Sequence, residues 1–240
     1  MKMRNIGAYL LDACFPNVCD CCGSYMAPAE SVCPACKEAL GRLRADYGKW
    51  LSDRTDKKPL PWADLITVYA YEGCARTGVL HLKQGTHSFG AHLAHELADA
   101  ARKQLPLQTI DFVTWVPLSA KRRRECYCGH SEYLAKRLAA ELHLPAKGGL
   151  LTEQHSDDRQ HRKKAAERAV FVERFAATNR RCDGATILLC DDILTTGSTM
   201  ARCAHLLLEQ GAKRVYAAAG LCTDRDRERS TTEKEPSEQA

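Results

Sequence analysis

The sequence predicts an α/β fold, a parallel sheet flanked by helices, with a small metal-binding head in front of it. Three observations carry that prediction. Ile187-Leu188-Leu189-Cys190 is an apolar run of the kind that forms a buried parallel strand, and a hydroxyl-rich turn and an amphipathic helix follow it. A second apolar run, Arg214–Leu221, comes after that helix, which makes a strand-helix-strand unit of the length a parallel crossover needs. Near the N-terminus, Cys19, Cys22, Cys33 and Cys36 give C-x2-C-x10-C-x2-C, the spacing of a tetrahedral four-thiolate site.

The head is read as residues 1–45. So short a stretch cannot bury much apolar surface, so a bound metal would supply folding energy. Four thiolates leave no open coordination position, which points to structural zinc rather than catalysis. Cys14 and Cys21 are spare thiols, and either could take the place of Cys19. A redox C-x-x-C is the competing reading, but two such pairs without a βαβ pattern around them argue against it.

Residues 46–61 are polar and end in two prolines, so they are read as a linker. The α/β pattern occupies 62–222. Leu65–Tyr71 and Asp111–Val116 read as strands. Ser88–Lys103 reads as a helix with Phe89, Leu93 and Leu97 on one side, and Ser131–His143 as another, with Leu134, Leu138 and Leu142 aligned and Ser131 as its N-cap. A weaker amphipathic segment spans 154–175. The helix Ser198–Gln210 places Met200, Cys203 and Leu207 together and stops at Gly211. The tail, 223–240, is charged with few apolar residues and is expected to be disordered.

Composition narrows the function classes. Of 240 residues, 45% are hydrophobic and 27% charged, ample for one core. No stretch approaches the ~18 apolar residues of a membrane span. The thirteen cysteines are an odd number without an export signal, so a disulfide framework is not expected and the chain reads as cytoplasmic. The net charge of +5 is concentrated in two clusters, Lys121–Arg124 and Arg162–Lys164, expected in loops overhanging the sheet. Such runs are solvated faces or anion-binding surfaces.

The most informative stretch is Asp191-Asp192-Ile193-Leu194-Thr195-Thr196-Gly197-Ser198-Thr199. Ligands of open α/β sheets bind beyond the carboxyl ends of strands. A turn rich in N–H and hydroxyl donors at a helix N-terminus suits a phosphate, and Gly197 permits positive φ or close approach. Two carboxylates would repel that phosphate, so the ligand should also offer hydroxyls or Mg²⁺, as a phosphorylated sugar does. An Mg²⁺-binding strand of a P-loop ATPase is excluded, since G-x-x-x-x-G-K-[ST] occurs nowhere. A plain strand-turn-helix capped by threonine is the bland alternative.

Taken whole, that string resembles the PRPP-binding signature of type I phosphoribosyltransferases. With the zinc head it resembles the ComF competence family. Tyr71-Glu72-Gly73 with Leu82-Lys83-Gln84-Gly85, Val116-Pro117-Leu118-Ser119 with Arg122–Glu125, Ser131-Glu132-Tyr133-Leu134-Ala135, and Gln154 with Arg162 all match family segments. Two departures stand out: Cys126-Tyr127-Cys128-Gly129-His130 replaces R-G-F-N-Q, and Ala165 replaces an asparagine. The family's second cysteine cluster is missing, so one zinc is expected.

The resemblance implies an Mg²⁺-dependent pentosyl transfer with an unidentified acceptor. Thr195, Thr196, Gly197, Ser198 and Thr199 would hold the 5-phosphate of PRPP or another phosphorylated ribose, and Asp191 and Asp192 the ribose hydroxyls. Ser119 and Arg122 would cradle pyrophosphate, while Lys83 and Arg162 close over it. Cys190 is expected to be buried and inert. The alternative class is a non-catalytic, single-stranded DNA-binding accessory of natural competence with the competence helicase as partner. A pure DNA binder has no use for two acids in its phosphate site.

Overall fold

The structure, a computed structural model, describes residues 17–27, 30–45, 47–52, 59–118, 129–153 and 174–223. In the head, Val18 and Tyr25 form an antiparallel bridge around the Cys19–Cys22 knuckle. Helix α1 (Pro34–Gly41) follows, with Cys33 at its N-cap and Pro34 in its first turn, where a missing N–H costs nothing. Helix α2 (Tyr47–Ser52) lies inside the stretch read as linker.

The main layer is a sheet of β1 (Leu65–Ala70), β2 (Phe112–Trp115), β5 (Thr186–Leu194) and β6 (Arg214–Cys222). The order is β1-β6-β5-β2, every pairing parallel. Helices α3 (Gly73–Gln84), α4 (Ser88–Gln104), α5 (His130–Glu141) and α6 (Ser198–Glu209) flank it. A separate antiparallel hairpin pairs β3 (Leu151–Glu153) with β4 (Phe175–Ala177).

Side-chain alternation along the strands assigns the two faces. Leu188, Cys190, Tyr216 and Ala218 enter the core built with Phe89, Leu93, Leu134 and Leu138 of α4 and α5. Ile187, Leu189, Val215 and Ala217 enter the core built with Met200, Cys203 and Leu207 of α6. At Gly220 an added Cβ would meet Leu93 at 2.4 Å, so glycine lets α4 lie against the central strand.

Both outer strands are covered. Ala45 N–H donates to Val68 O at 2.9 Å and Leu43 O accepts from Ala70 at 2.7 Å along β1. Along β2, Val113 bonds Pro145 and Lys147, each at 2.9 Å. The head and the sheet share one core, in which Leu40, Val32 and Cys36 pack with the α4 face. Buried Asp20 ties them further, its carboxylate accepting from Phe89 N–H at the start of α4 at 2.8 Å.

The expected elements of the sheet are present with shifted ends. The largest shift is in β5, which runs through both acids and four residues beyond Cys190, because Ile193 and Leu194 still pair with Leu221 and Cys222. Ser131 is not the N-cap of its helix; Gly129 is. The segment 154–175 lies almost wholly outside the described residues, and its last residue, Phe175, opens β4. Cys14, the two basic clusters and residues 224–240 also lie outside them.

Candidate functional site

Asp191 and Asp192 sit near the carboxyl end of β5, and α5 begins across that end. Successive strand residues face opposite sides, so the acids meet different neighbours. Asp191 Oδ1 accepts from Ser131 Oγ at 2.8 Å and from Asp192 N–H at 2.9 Å. Asp192 Oδ2 pairs with Lys83 Nζ at 3.1 Å and lies 3.6 Å from His130 Nε2. Asp192 is 5% exposed, so these cations decide its charge. Burial pushes both carboxyls up. For Asp191, burial and the adjacent Asp192 prevail, and its carboxyl sits well above the usual range. For Asp192, His130 and Lys83 outweigh burial and hold it below.

The loop after β5 is braced from behind. Trp50 of α2 donates its indole N–H to Thr195 O at 2.8 Å. Gly197 takes φ +77°, and an added Cβ there would meet the Trp50 ring at 3.0 Å and Trp62 at 3.6 Å. Gly197, not a threonine, is the N-cap residue of α6. Thr196 Oγ1 lies 2.8 Å from Ser198 Oγ and accepts weakly from Ser198 N–H. Thr195, Thr196 and Ser198 are exposed, and Thr199 is half-buried. The result is an exposed rim of hydroxyls over the positive end of a helix, beside two acids of different character.

Of the residues singled out in the sequence, the structure brings Lys83, Asp191, Asp192 and Thr195–Thr199 to this one end of the sheet. Ser119, Arg122 and Arg162 lie outside the described residues. Sequence reasoning missed Trp50, hidden in a polar stretch, and the acid-facing roles of His130 and Ser131. The signal for the latter two was their position, next to each other at the start of the helix after β2. Cys190 is fully buried, and burial pushes its thiol well above its ordinary range, so it is no nucleophile.

In the head, one sulfur from each of Cys19, Cys22, Cys33 and Cys36 lies within 4.8 Å of all the others. Cys22 and Cys33 are 3.6 Å apart. Tetrahedral Zn–S bonds would place the sulfurs about 3.8 Å apart, so this set fits a metal ion. Gly23, at φ +75°, closes the first knuckle, its N–H donating to Cys19 O at 2.8 Å. The Ser24 hydroxyl and backbone lower the Cys22 thiol to about 6, whereas burial pushes Cys36 up. Cys21 is buried outside the cluster, and Cys14 lies outside the described residues.

The phosphoribosyl transferase domain model matches residues 129–238, from the start of α5 onward. The chain is therefore a protein with a phosphoribosyl transferase domain, and its relatives narrow that class. It is 29% identical over 203 residues to DNA utilization protein YhgH of Salmonella typhi, covering 83% of this chain and 87% of that protein. It is 33% identical over 96 residues to competence protein ComFC of Bacillus subtilis, covering 40% of this chain and 38% of that one. The matched domain and these two relatives support the resemblance to the ComF family. Among solved structures, TT1426 of Thermus thermophilus aligns with a TM-score of 0.36 at 17% identity, over 63% of this chain and 85% of that chain. Adenine phosphoribosyltransferase of Leishmania tarentolae aligns with a TM-score of 0.37 at 15% identity, over 58% and 73%.

Proposed function

We propose that the protein binds Mg²⁺-PRPP, or a related phosphorylated ribose, at the carboxyl end of β5, in the service of DNA uptake or use. The observation that carries this reading is the pairing of two unequal acids with a braced, hydroxyl-rimmed helix N-terminus on one strand-loop-helix unit. A phosphate alone would need the loop and be repelled by the acids; a ribose phosphate uses both. In this reading Thr195–Thr199 hold the 5-phosphate, Asp191 and Asp192 take the ribose hydroxyls, and Lys83, Ser119, Arg122 and Arg162 serve the pyrophosphate. Mg²⁺ bound with PRPP would neutralise the leaving pyrophosphate. Positioning and electrostatics could then accomplish pentosyl transfer without a covalent nucleophile. The four-cysteine set would hold one structural zinc. No helix among the described residues is long and apolar enough to cross a membrane, and we place the protein in the cytoplasm.

Calorimetry tests the reading directly. Mg²⁺-PRPP should bind the intact protein and not the Asp191→Asn/Asp192→Asn variant; no heat from the intact protein refutes it. The names of the relatives support a second reading, a non-catalytic accessory that binds single-stranded DNA beside a competence helicase. That reading expects a salt-steep DNA affinity that falls when Arg122, Arg123 and Arg124 are neutralised. An affinity indifferent to that change counts against it.

A further inference from the structure

A cleft of about 790 Å³ opens between the head and the helices α4 and α5, within the size range of small-molecule sites. Lys37 of α1 lines it from the head, and Arg137 of α5 from the main layer. None of the acids or hydroxyls gathered at the end of β5 takes part in it. The charges inside are unequally matched. Arg44 pairs with Glu96 at 2.6 Å and His95 with Glu141 at 3.5 Å, so both acids of the helical wall are taken. The Glu30 carboxylate accepts from Ala27 N–H at 3.4 Å. Lys37 and Arg137 are exposed and have no ion-pair partner among the described residues. Two unpaired cations against one acid engaged with backbone leave the cleft a surplus of positive charge. The same cleft holds a flat surface. The exposed His87 ring stacks on Tyr133, with centroids 4.2 Å apart and planes 11° from parallel. Tyr133 Oη also donates to His87 O at 3.2 Å, which fixes the pair. Among the described residues no second ring stacks on His87, so its other face is open to one.

We propose that this cleft is a second ligand site, for a nucleoside monophosphate whose phosphate is held by Lys37 and Arg137 and whose base stacks on His87. A phosphate monoester carries up to two negative charges and is served by two cations that have no acid of their own. A base offers a π-face whatever its identity, so one aromatic platform receives it without reading its edge. The ligand would bridge the head to α5, adding to the bond from Phe89 N–H to Asp20 that already joins head and sheet. The inference is independent of the sugar-phosphate reading, because it uses none of the residues at the end of β5.

Calorimetry on the full-length, metal-loaded protein tests this with AMP and inorganic phosphate as probes. It is run in the Asp191→Asn/Asp192→Asn background, so that the site on β5 does not contribute. One AMP per chain should bind, about fivefold or more tighter than inorganic phosphate, because stacking adds to the charge contact. Adding Lys37→Ala/Arg137→Ala should weaken AMP about tenfold or more; both side chains are exposed, so circular dichroism should show the fold kept. Adding His87→Ala should weaken AMP about fivefold and leave inorganic phosphate unchanged. AMP that does not bind in this background, or that binds regardless of Lys37 and Arg137, overturns the site. Inorganic phosphate that binds as tightly as AMP overturns the nucleotide assignment. An oligothymidylate that binds through the same two cations while AMP does not would make the cleft a groove for a strand, and overturns it too.

Discussion

Replacing Gly197 by alanine, alone and together with Trp50→Phe, measures how firmly α2 holds the loop after β5. Gly197 has φ +77°, where an L side chain costs about 1–2 kcal/mol. Its new Cβ would sit 3.0 Å from Cη2 and Cζ2 of Trp50 and force the ring to yield. Yielding strains the 2.8 Å bond from the Trp50 indole to Thr195 O, worth about 1 kcal/mol. The expected loss for Gly197→Ala is therefore about 2–3 kcal/mol. Phenylalanine at position 50 lacks both the indole N–H and the outer ring that the Cβ would strike. Trp50→Phe should cost about 1 kcal/mol alone, and in its background Gly197→Ala should retain only the backbone cost. Urea denaturation of the four proteins, followed by far-ultraviolet circular dichroism, would give a coupling energy of about 1 kcal/mol. Costs that add to within about 0.5 kcal/mol would mean the brace does not exist.

Further predictions follow from the head, the hairpin anchor and a buried imidazole. Burial lowers the pKa of His92 below the ordinary 6.5, with Glu96 opposing and Lys37, Arg44 and His95 adding to the shift; its ring lies 2.9 Å from Tyr69 Oη. The unfolded chain therefore takes up a proton first, so this group's stabilisation is present above 6.5 and is lost as the pH falls toward the folded value. His92→Gln should flatten that part of the stability profile in urea titrations; an unchanged slope argues against a buried neutral imidazole. Gln210 Nε2 faces the carbonyls of Leu150, Thr178 and Arg180 at 3.1, 3.1 and 2.7 Å, so Gln210→Leu should cost roughly 2–3 kcal/mol by chemical denaturation. Elemental analysis should find one zinc per chain, and none in Cys33→Ser/Cys36→Ser; metal retained by that variant would place it elsewhere.

The sheet was legible because its signal is local. Ile187–Cys190 and Val215–Leu221 are apolar over lengths that suit only buried strands, and Leu93, Leu134 and Leu207 fall on single helical faces that the structure buries. The four cysteines were grouped by spacing alone, and the fold gathers their sulfurs while leaving Cys21 outside. Other features depended on long-range contact. Ser131 looks like a helix cap because a hydroxyl before an apolar run serves either purpose, and only the arrival of Asp191, sixty residues away, decides. Trp50 is set among charged residues, so composition marked a linker where the fold has a buttress. The β3–β4 hairpin joins short segments far apart in sequence, and neither is long enough to show a period.

The covering of β1 by Leu43–Ala45 would tie a metal held by the four thiols to solubility. That cover is the chain leaving α1, which starts at two of the four thiols. Chelation would loosen the strap as well as the knuckle and lay bare a row of backbone donors and acceptors along Leu65–Ala70. The demetallated protein should then self-associate through that seam, which light scattering after chelation would detect.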